Sequence, residues 1–462
     1  MKSDIVVIGG GASGLMAAYA AAGTLVASGS DAQVLLLEKM PRPGRKIMIT
    51  GKGRCNFTNL KDWNAFSPHV RVNSAALRPA FHNLTPEALT EFFSAHGMKS
   101  VVERGDRAFP GSHRSSEVVD TLVNACLSQG VKICCGQEVS TVERDGDGFL
   151  LGLASGENCR CRRLILATGG LSYPTTGSTG DGYRWAEAFG HRIVRTFPSL
   201  TALVPQGYKR PEELHADPEL PRHIDRSTPL SELGEKLCGV HLKNVGMTLE
   251  IDGGTAGEEF GDVDFTDGGI EGPLGFQFSR QAVKALLNGG RAALVLDLKS
   301  TVDEAELAER VRTLYAEVEA DPRSERIREK ERGRILLGKL MPWDLIPGFT
   351  AMHPQIFSVT RLRGGRQLVK LNTAAVASAL KCWRFPLEGY VGYERAVVTA
   401  GGVALDGIVP KSLESRSAPG LYICGELLDI DADTGGYNLH SAFATGALAG
   451  QNAAKSLLAG GR

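Results

Sequence analysis

The chain lacks any excess of charge: 52 Lys plus Arg stand against 52 Asp plus Glu in 462 residues. Phosphate affinity needs surplus positive charge, so this balance argues against a dedicated nucleic-acid partner. Also missing is an uninterrupted apolar run of about 18 residues, the length a membrane span requires. There is no C-x-x-C pair and no Cys–His cluster at metal-ligand spacing, so no metal site is expected. The nine cysteines, scattered from Cys55 to Cys424, do not make the dense framework of a small secreted domain. A reducing, cytoplasmic setting is expected. Lys2 and the small residues at 18–22 imitate a secretory leader, but Asp4, Gly9, Gly10 and Gly11 interrupt the apolar core that a leader needs. What the chain does have is 42% apolar residues and 56 glycines. At a soft prior of about 150 residues per domain, its length points to two or three domains.

Residues 4–8 form a short, β-branched apolar run suited to a buried parallel strand. Gly9-Gly10-Gly11-Ala12-Ser13-Gly14 follows, fitting G-x-G-x-x-G, and an Ala-rich helical stretch covers 15–22. Gly9 permits the tight turn, Gly11 lets backbone N–H groups approach a pyrophosphate, and Gly14 lets the helix pack on the strand. The helix start, with Ala12 and Ser13, adds partial positive charge toward the phosphates. A second apolar strand, 33–37, ends in Glu38, which lies 38 − 14 = 24 residues past the last glycine. An acidic side chain there accepts hydrogen bonds from both ribose hydroxyls and disfavours a 2′-phosphate. Lys39 is expected to touch the cofactor beside it.

The next segment separates FAD from NAD. Residues 40–59, MPRPGRKIMITGKGRCNFTN, are dense in Gly, Arg and Lys, where an NAD domain would proceed to another βα unit. Flavoproteins of the glutathione-reductase type place such a loop along the cofactor. Arg45, Lys46, Gly53 and Arg54 are expected at the pyrophosphate, with Cys55 and Asn56 nearer the flavin. Strands at 131–135, 138–142, 149–154 and 159–164 read as an antiparallel meander, with Val139 approaching the cofactor. Residues 164–170, LILATGG, end a strand where Ala167, Thr168 and Gly169 let backbone come close. Residues 420–427, GLYICGEL, end at Gly425-Glu426, an acidic position expected to hold ribityl hydroxyls. Gly435-Gly436 then turns the chain into an Ala-rich helix over 439–454. N–H groups around Asn438, Leu439 and His440 would point at the flavin pyrimidine and stabilise negative charge on the reduced ring. These elements predict one FAD.

TGKGRCNFTN (50–59), LATGGLSYPTTGSTGDGY (166–183), VDFTDGGIEGP (263–273), VTAGGV (398–403) and GLYICGELLDIDADTGGYNLHSAFATGALAG (420–450) resemble the BaiN/YhiN-type flavoproteins over nearly the whole chain. The resemblance implies non-covalent FAD and an α/β fold: a split Rossmann-type FAD domain with an inserted β-rich domain and a helical subdomain. The expected boundaries are 1–195 with 396–462, 196–300 with 381–395, and 301–380. Members of that family include reductases of conjugated C=C bonds in dehydro-bile acids and aminoacetone oxidases. Two departures bear on the substrate. Gln-Trp commonly follows the GGYN-Leu element, where this chain has His440-Ser441. The segment His-x-Gly-x-Ser-Gly-Pro reads Asp267-Gly268-Gly269-Ile270-Glu271-Gly272-Pro273 here.

In the middle of the chain, short strands are expected at 248–251 and 293–296. Thr301-Val302-Asp303-Glu304 fits a capping box opening a helix with Leu307, Val311, Leu314 and Val318 on one face. Residues 323–334 read as a solvated helix surface, and 371–380 as another helix. No second G-x-G-x-x-G occurs there. The cycle is closed either by NAD(P)H docking transiently at the flavin or by oxygen. The leading expectation is an NAD(P)H-linked reductase of a conjugated C=C bond in a small hydrophobic, steroid- or bile-acid-like substrate. An amine oxidase and a non-catalytic flavin-bearing binding protein are the alternatives. Tyr437, His440 and Cys55 are the candidate proton donors, with a packing role for His440 as its alternative; Tyr173 and Tyr183 are further candidates for the cavity.

Overall fold

The structure, a computed structural model, describes residues 1–210, 220–361 and 367–460. Two compact units emerge, 1–198 with 396–462, and 199–395.

In the first unit, β1 (Ile5–Ile8) and β2 (Val34–Glu38) are buried throughout, as unbroken apolar runs require of strands covered on both faces. They lie inside a five-stranded parallel sheet ordered Leu421–Ile423, Arg163–Leu166, β1, β2, Lys132–Cys135. Pairing of Ile8 with both Leu166 and Leu37 brings the strands to an end along one edge. In open parallel sheets that carboxyl edge is where ligands bind.

Helix α1 (Ala12–Ala27) leaves β1 at this edge and crosses the C-terminal helix, Tyr437–Ala459. The two backbones nearly touch. A Cβ on Gly446 would stand 2.2 Å from the Ser13 carbonyl oxygen, and one on Gly450 would stand 2.1 Å from that of Ala17. Spaced four apart, these glycines share one helix face. Gly14 is equally constrained, since a Cβ there would lie 1.8 Å from the Gly9 oxygen.

Two strand expectations change. Lys132–Cys135 pairs in parallel with β2, so the meander begins one strand later and comprises Val139–Asp145, Gly148–Leu153 and Asn158–Cys161. Its last strand stops at Cys161. Arg162 and Arg163 both donate their amides to the Asp4 oxygen, turning the chain into the sheet as Arg163–Leu166. A period-2 pattern identifies a strand but not its neighbour. Segment 40–59 also holds a short helix, Arg45–Ile49, and a tight turn, Thr50–Gly53.

The second unit is built on a closed ring. Leu203–Pro205, Gly269–Glu271, Gly254–Thr266, His241–Ile251, Ala292–Asp297 and Trp383–Val391 follow one another, and the last pairs back with the first. Closure removes open edges. Phe265, Phe349, Trp383 and Phe385 pack edge-on and tilted in its core. Within 301–380 stand helices Glu304–Ala320, Glu329–Leu340 and Thr373–Lys381. The first is capped by Asp303, whose side chain accepts from the Glu306 amide at 2.8 Å. The cap thus lies two residues beyond the expected Thr301, because the Asp303 carboxylate itself reaches the N3 amide. The buried face is Leu307, Val311, Tyr315 and Val318, with Tyr315 where Leu314 was expected.

Candidate flavin site

The carboxyl edge of the parallel sheet opens into a cleft lined by first-unit residues. At one end stands Glu38. Its Oε2 accepts from the Gly10 amide and its Oε1 from the Met40 amide, each at 2.7 Å. These bonds aim the carboxylate, and each oxygen keeps lone-pair capacity for a ligand hydroxyl. Burial pushes its pKa up, and the two amide bonds offset this only in part. Next to it, Lys39 Nζ donates to Asp181 at 2.7 Å; burial raises the Asp181 carboxyl, but bonds from Lys39, Thr179 and Arg184 bring it below its ordinary value.

Along the middle, Gly11 caps α1 without a side-chain hydrogen bond, and the first turn carries no acidic residue. A Cβ on Gly11 would meet nothing within 4 Å, so the bare backbone faces open space. The Ala12 and Ser13 amides belong to the first turn, whose N–H groups have no intrahelical partner. Arg42, Arg45 and Lys46 line the same cleft. Arg42 is paired with Asp120 and Lys46 with Glu426, so uncapped amides, an uncompensated helix dipole and the Arg45 side chain make the donor set suited to a diphosphate.

At the far end, Glu426 Oε1 accepts from the Thr399 amide at 2.8 Å and Ser172 Oγ at 2.7 Å, while Oε2 accepts from Lys46 Nζ at 2.6 Å. Burial would lift this carboxyl, but Lys46, Ser172 and the Thr399 amide together hold it below the usual range. The Gly425 amide donates to Thr445 Oγ1 at 3.0 Å, tying this end to the C-terminal helix. That helix starts behind Gly436, again with no side-chain cap and no acidic first turn. Asn438, Leu439, Ser441, Ala442 and Thr445 present one face to the cleft. Carboxylates at both ends, a phosphate cradle between them and a helix N-terminus at the second end fit the adenosine ribose, diphosphate and flavin portions of FAD.

Of the residues expected to bind, Gly9, Gly11, Ala12, Ser13, Glu38, Lys39, Arg45 and Lys46 line the cleft. So do Val139, Ala167, Thr168, Gly169, Gly425, Glu426, Asn438 and Leu439. Gly14, Gly53, Arg54, Cys55, Asn56, Gly436 and His440 are not among the lining residues. Arg54 instead pairs with Glu103 and lies 4.5 Å over the Phe109 ring. Asn56 donates to the Thr58 and Ala108 oxygens, both at 2.9 Å. Gly436 passes so close to Thr58 that a Cβ would stand 2.5 Å from its carbonyl.

The proton-donor expectations need correcting on the same ground. His440 is fully buried, with Phe66 and Phe81 edge-on to its ring and Nδ1 3.0 Å from Thr58 Oγ1. Burial lowers its pKa to about 3, so the imidazole is neutral at physiological pH. Cys55 is fully buried and its thiol is pushed up to about 12. Tyr437, 3% exposed, stacks on His69 at 4.3 Å rather than facing the cleft. Tyr173 and Tyr183 also lie outside the lining.

Sequence reasoning missed Thr176, Gly177, Ser178, Asp181 and Trp185, Gln137, the pair Val397 and Val398, and the helix positions Ser441, Ala442 and Thr445. The last three carried a usable signal: 438, 441, 442 and 445 follow the i, i+3, i+4, i+7 spacing of one helix face.

The HI0933-like protein Rossmann domain family matches residues 3–452. The chain is 31% identical over 454 residues to the 3-dehydro-bile acid delta(4,6)-reductase of Clostridium scindens, covering 98% of this chain and 99% of that one. It is 28% identical over 444 residues to the ribosomal RNA dihydrouridine synthase of Escherichia coli, with 96% of each chain covered. Among solved structures, the 3-ketosteroid delta1-dehydrogenase of Sterolibacterium denitrificans in complex with 1,4-androstadiene-3,17-dione is similar at a TM-score of 0.47 and 13% identity, covering 98% of this chain and 100% of that one. The chain therefore belongs to the HI0933-like Rossmann family and is an FAD-dependent oxidoreductase of the BaiN/YhiN type.

Proposed function

We propose that the protein is an NAD(P)H-linked reductase of a C=C bond conjugated to a carbonyl, in a small hydrophobic, steroid-like substrate. The observation that carries this reading is the end-to-end likeness to a relative named as a reductase of such a bond. Glu38 would hold the adenosine ribose, while the Ala12 and Ser13 amides with Arg45 would hold the diphosphate. Glu426, locked by Lys46 and Ser172, offers a fixed acceptor for the ribityl chain. The uncapped N-terminus of the C-terminal helix favours negative charge beside it and so favours the reduced cofactor. When bound, FAD would supply the hydride that the β-carbon of the conjugated bond receives, with water supplying the proton that completes the α-carbon. The sequence has no second dinucleotide fingerprint, so the pyridine nucleotide would use the flavin cavity in turn with the substrate.

A second acceptor is favoured by one observation, the likeness over 96% of the chain to a relative named for making dihydrouridine. Forming dihydrouridine saturates the C5=C6 bond of a uracil, which is conjugated to the C4 carbonyl. The chemistry is the same and the substrate is RNA. Anaerobic mixing of the holoprotein with NADH or NADPH, followed by a steroid enone or a uridine-containing RNA, tests the proposal. Bleaching of the oxidised-flavin band by the nucleotide and its recovery on adding the enone are expected. Recovery with RNA alone would move the assignment to the second acceptor. Bleaching by an amine with peroxide on aeration would make the protein an oxidase, and no bleaching by any donor would make it a binding protein.

A further inference from the structure

We infer that Lys39 and Asp181 are the latch of a strap, loop 171–180, which must swing away for the cofactor to enter or leave the cleft. The inference rests on the reading of the cleft as an FAD site. Lys39 directly follows Glu38 at the end of β2, whereas Asp181 opens helix Asp181–Ala188, 142 residues further on. Both side chains line the cleft, as do Thr176, Gly177 and Ser178 of the loop. Lys39 Nζ donates to Asp181 Oδ2 at 2.7 Å and also to Thr179 Oγ1, which in turn donates to Asp181 Oδ2 at 2.8 Å. The lysine is thus spent on the loop rather than left for a phosphate. Packing accompanies the ion pair. A Cβ on Gly177 would stand 2.9 Å from Met40 Cγ and 3.6 Å from Lys39 Cε. Residues 39–40 and 177–181 therefore touch beside Glu38 and close the cleft on that side.

The two ends of the strap are held differently. At its start, the Leu171 and Ser172 amides donate to Thr399 Oγ1 at 2.8 and 3.1 Å, and Ser172 Oγ donates to Glu426 Oε1 at 2.7 Å. Ser172 and Thr399 are fully buried, so water does not compete for these bonds. At the far end, the Lys39 and Asp181 side chains are 21% and 20% exposed. An ion pair that water reaches is weak and is screened by salt. Arg184 holds the other Asp181 oxygen at 2.7 Å from the same helix, so the carboxylate stays in place when Lys39 lets go. Gly177 and Gly180 stand next to this weak end with φ of 110° and 82°, where a backbone without Cβ turns freely. A buried base, a solvent-reached tip and glycines beside the tip are the parts of a loop that opens locally while the rest stays folded.

The test is the rate of FAD exchange in full-length protein. Entry is read from flavin quenching when FAD is mixed with the cofactor-free chain, and release from the recovery of fluorescence on diluting the holoprotein. Asp181→Asn and Lys39→Met are each expected to raise both rates at least about threefold, the scale of a partly exposed ion pair. The dissociation constant should change less than either rate, because entry and release share the opening step. Lys39→Arg, which retains the pair, is expected to keep both rates. Faster release with entry unchanged would make the two residues direct cofactor contacts and overturn the inference, as would unchanged rates in both variants. Hydrogen exchange of the unaltered, cofactor-free chain gives a second readout. The amides of residues 176–180 should exchange faster than those of Leu171 and Ser172, and equal protection would count against a strap that opens at its tip. The two readings fail differently. A wild-type chain that takes up no flavin removes the FAD reading and the latch with it, whereas flavin bound and exchanged at the same rates in every variant removes the latch alone.

Discussion

Burial decides what each titratable side chain around the C-terminal helix can do. His440 has a folded pKa near 3 against about 6.5 for an exposed imidazole. Between those values the unfolded chain takes up a proton that the folded chain refuses. Stability from this group is therefore complete above about pH 6.5 and is lost as pH falls toward 3, by at most about 1.4 kcal/mol per pH unit. His440→Leu should flatten that slope: its urea midpoint should drop less than that of wild type between about pH 7 and pH 4.5. Equal drops would show that His440 is not the buried neutral imidazole described. Glu38 shows the opposite case, a buried carboxylate that faces the cleft and that we propose as the acceptor for the cofactor ribose. Glu38→Gln removes one charged acceptor and should raise the FAD dissociation constant at least tenfold, corresponding to about 1.5 kcal/mol, in a flavin titration.

Among the elements, the crossing of α1 with the C-terminal helix places the first phosphate cradle and the last helix N-terminus on one cleft. Gly450→Val would drive a side chain into the Ala17 carbonyl and should cost about 3 kcal/mol in chemical denaturation of the holoprotein. Gly23 lies in α1 itself, and a Cβ there meets only Gln129 Oε1 at 3.8 Å. Gly23→Ala should therefore raise stability by about 0.5–1 kcal/mol. The same pair of helices shows how far the sequence could be read. Gly11, Glu38 and Glu426 were legible because each stands at the end of its own strand or within three residues of it, and chain connectivity alone brings them to the sheet edge. His440 was misplaced because a motif does not state which face of a helix turns inward. Positions 437 and 440 share the core-facing side, while 438, 441, 442 and 445 face the cleft. Arg54 was misplaced for a related reason, since its partner Glu103 comes from a distant strand.

For the whole molecule, legibility declines with sequence separation. The parallel sheet follows from local apolar runs at 5–8 and 34–38. The ring of the second unit does not, because it closes through Pro205 and Leu387, separated by 387 − 205 = 182 residues, on a strand of only three residues. Charge behaves likewise. An overall balance of zero concealed a stretch of 43 residues, 345–387, without an acid. The account rests on the cleft of the first unit holding FAD from Glu38 to Asn438. Flavin titration of the purified, folded chain tests this most directly. One FAD per chain is expected to bind, with saturable quenching that weakens in Glu38→Gln and Gly11→Val. A chain with the far-ultraviolet spectrum of a folded α/β protein that takes up no flavin would contradict it.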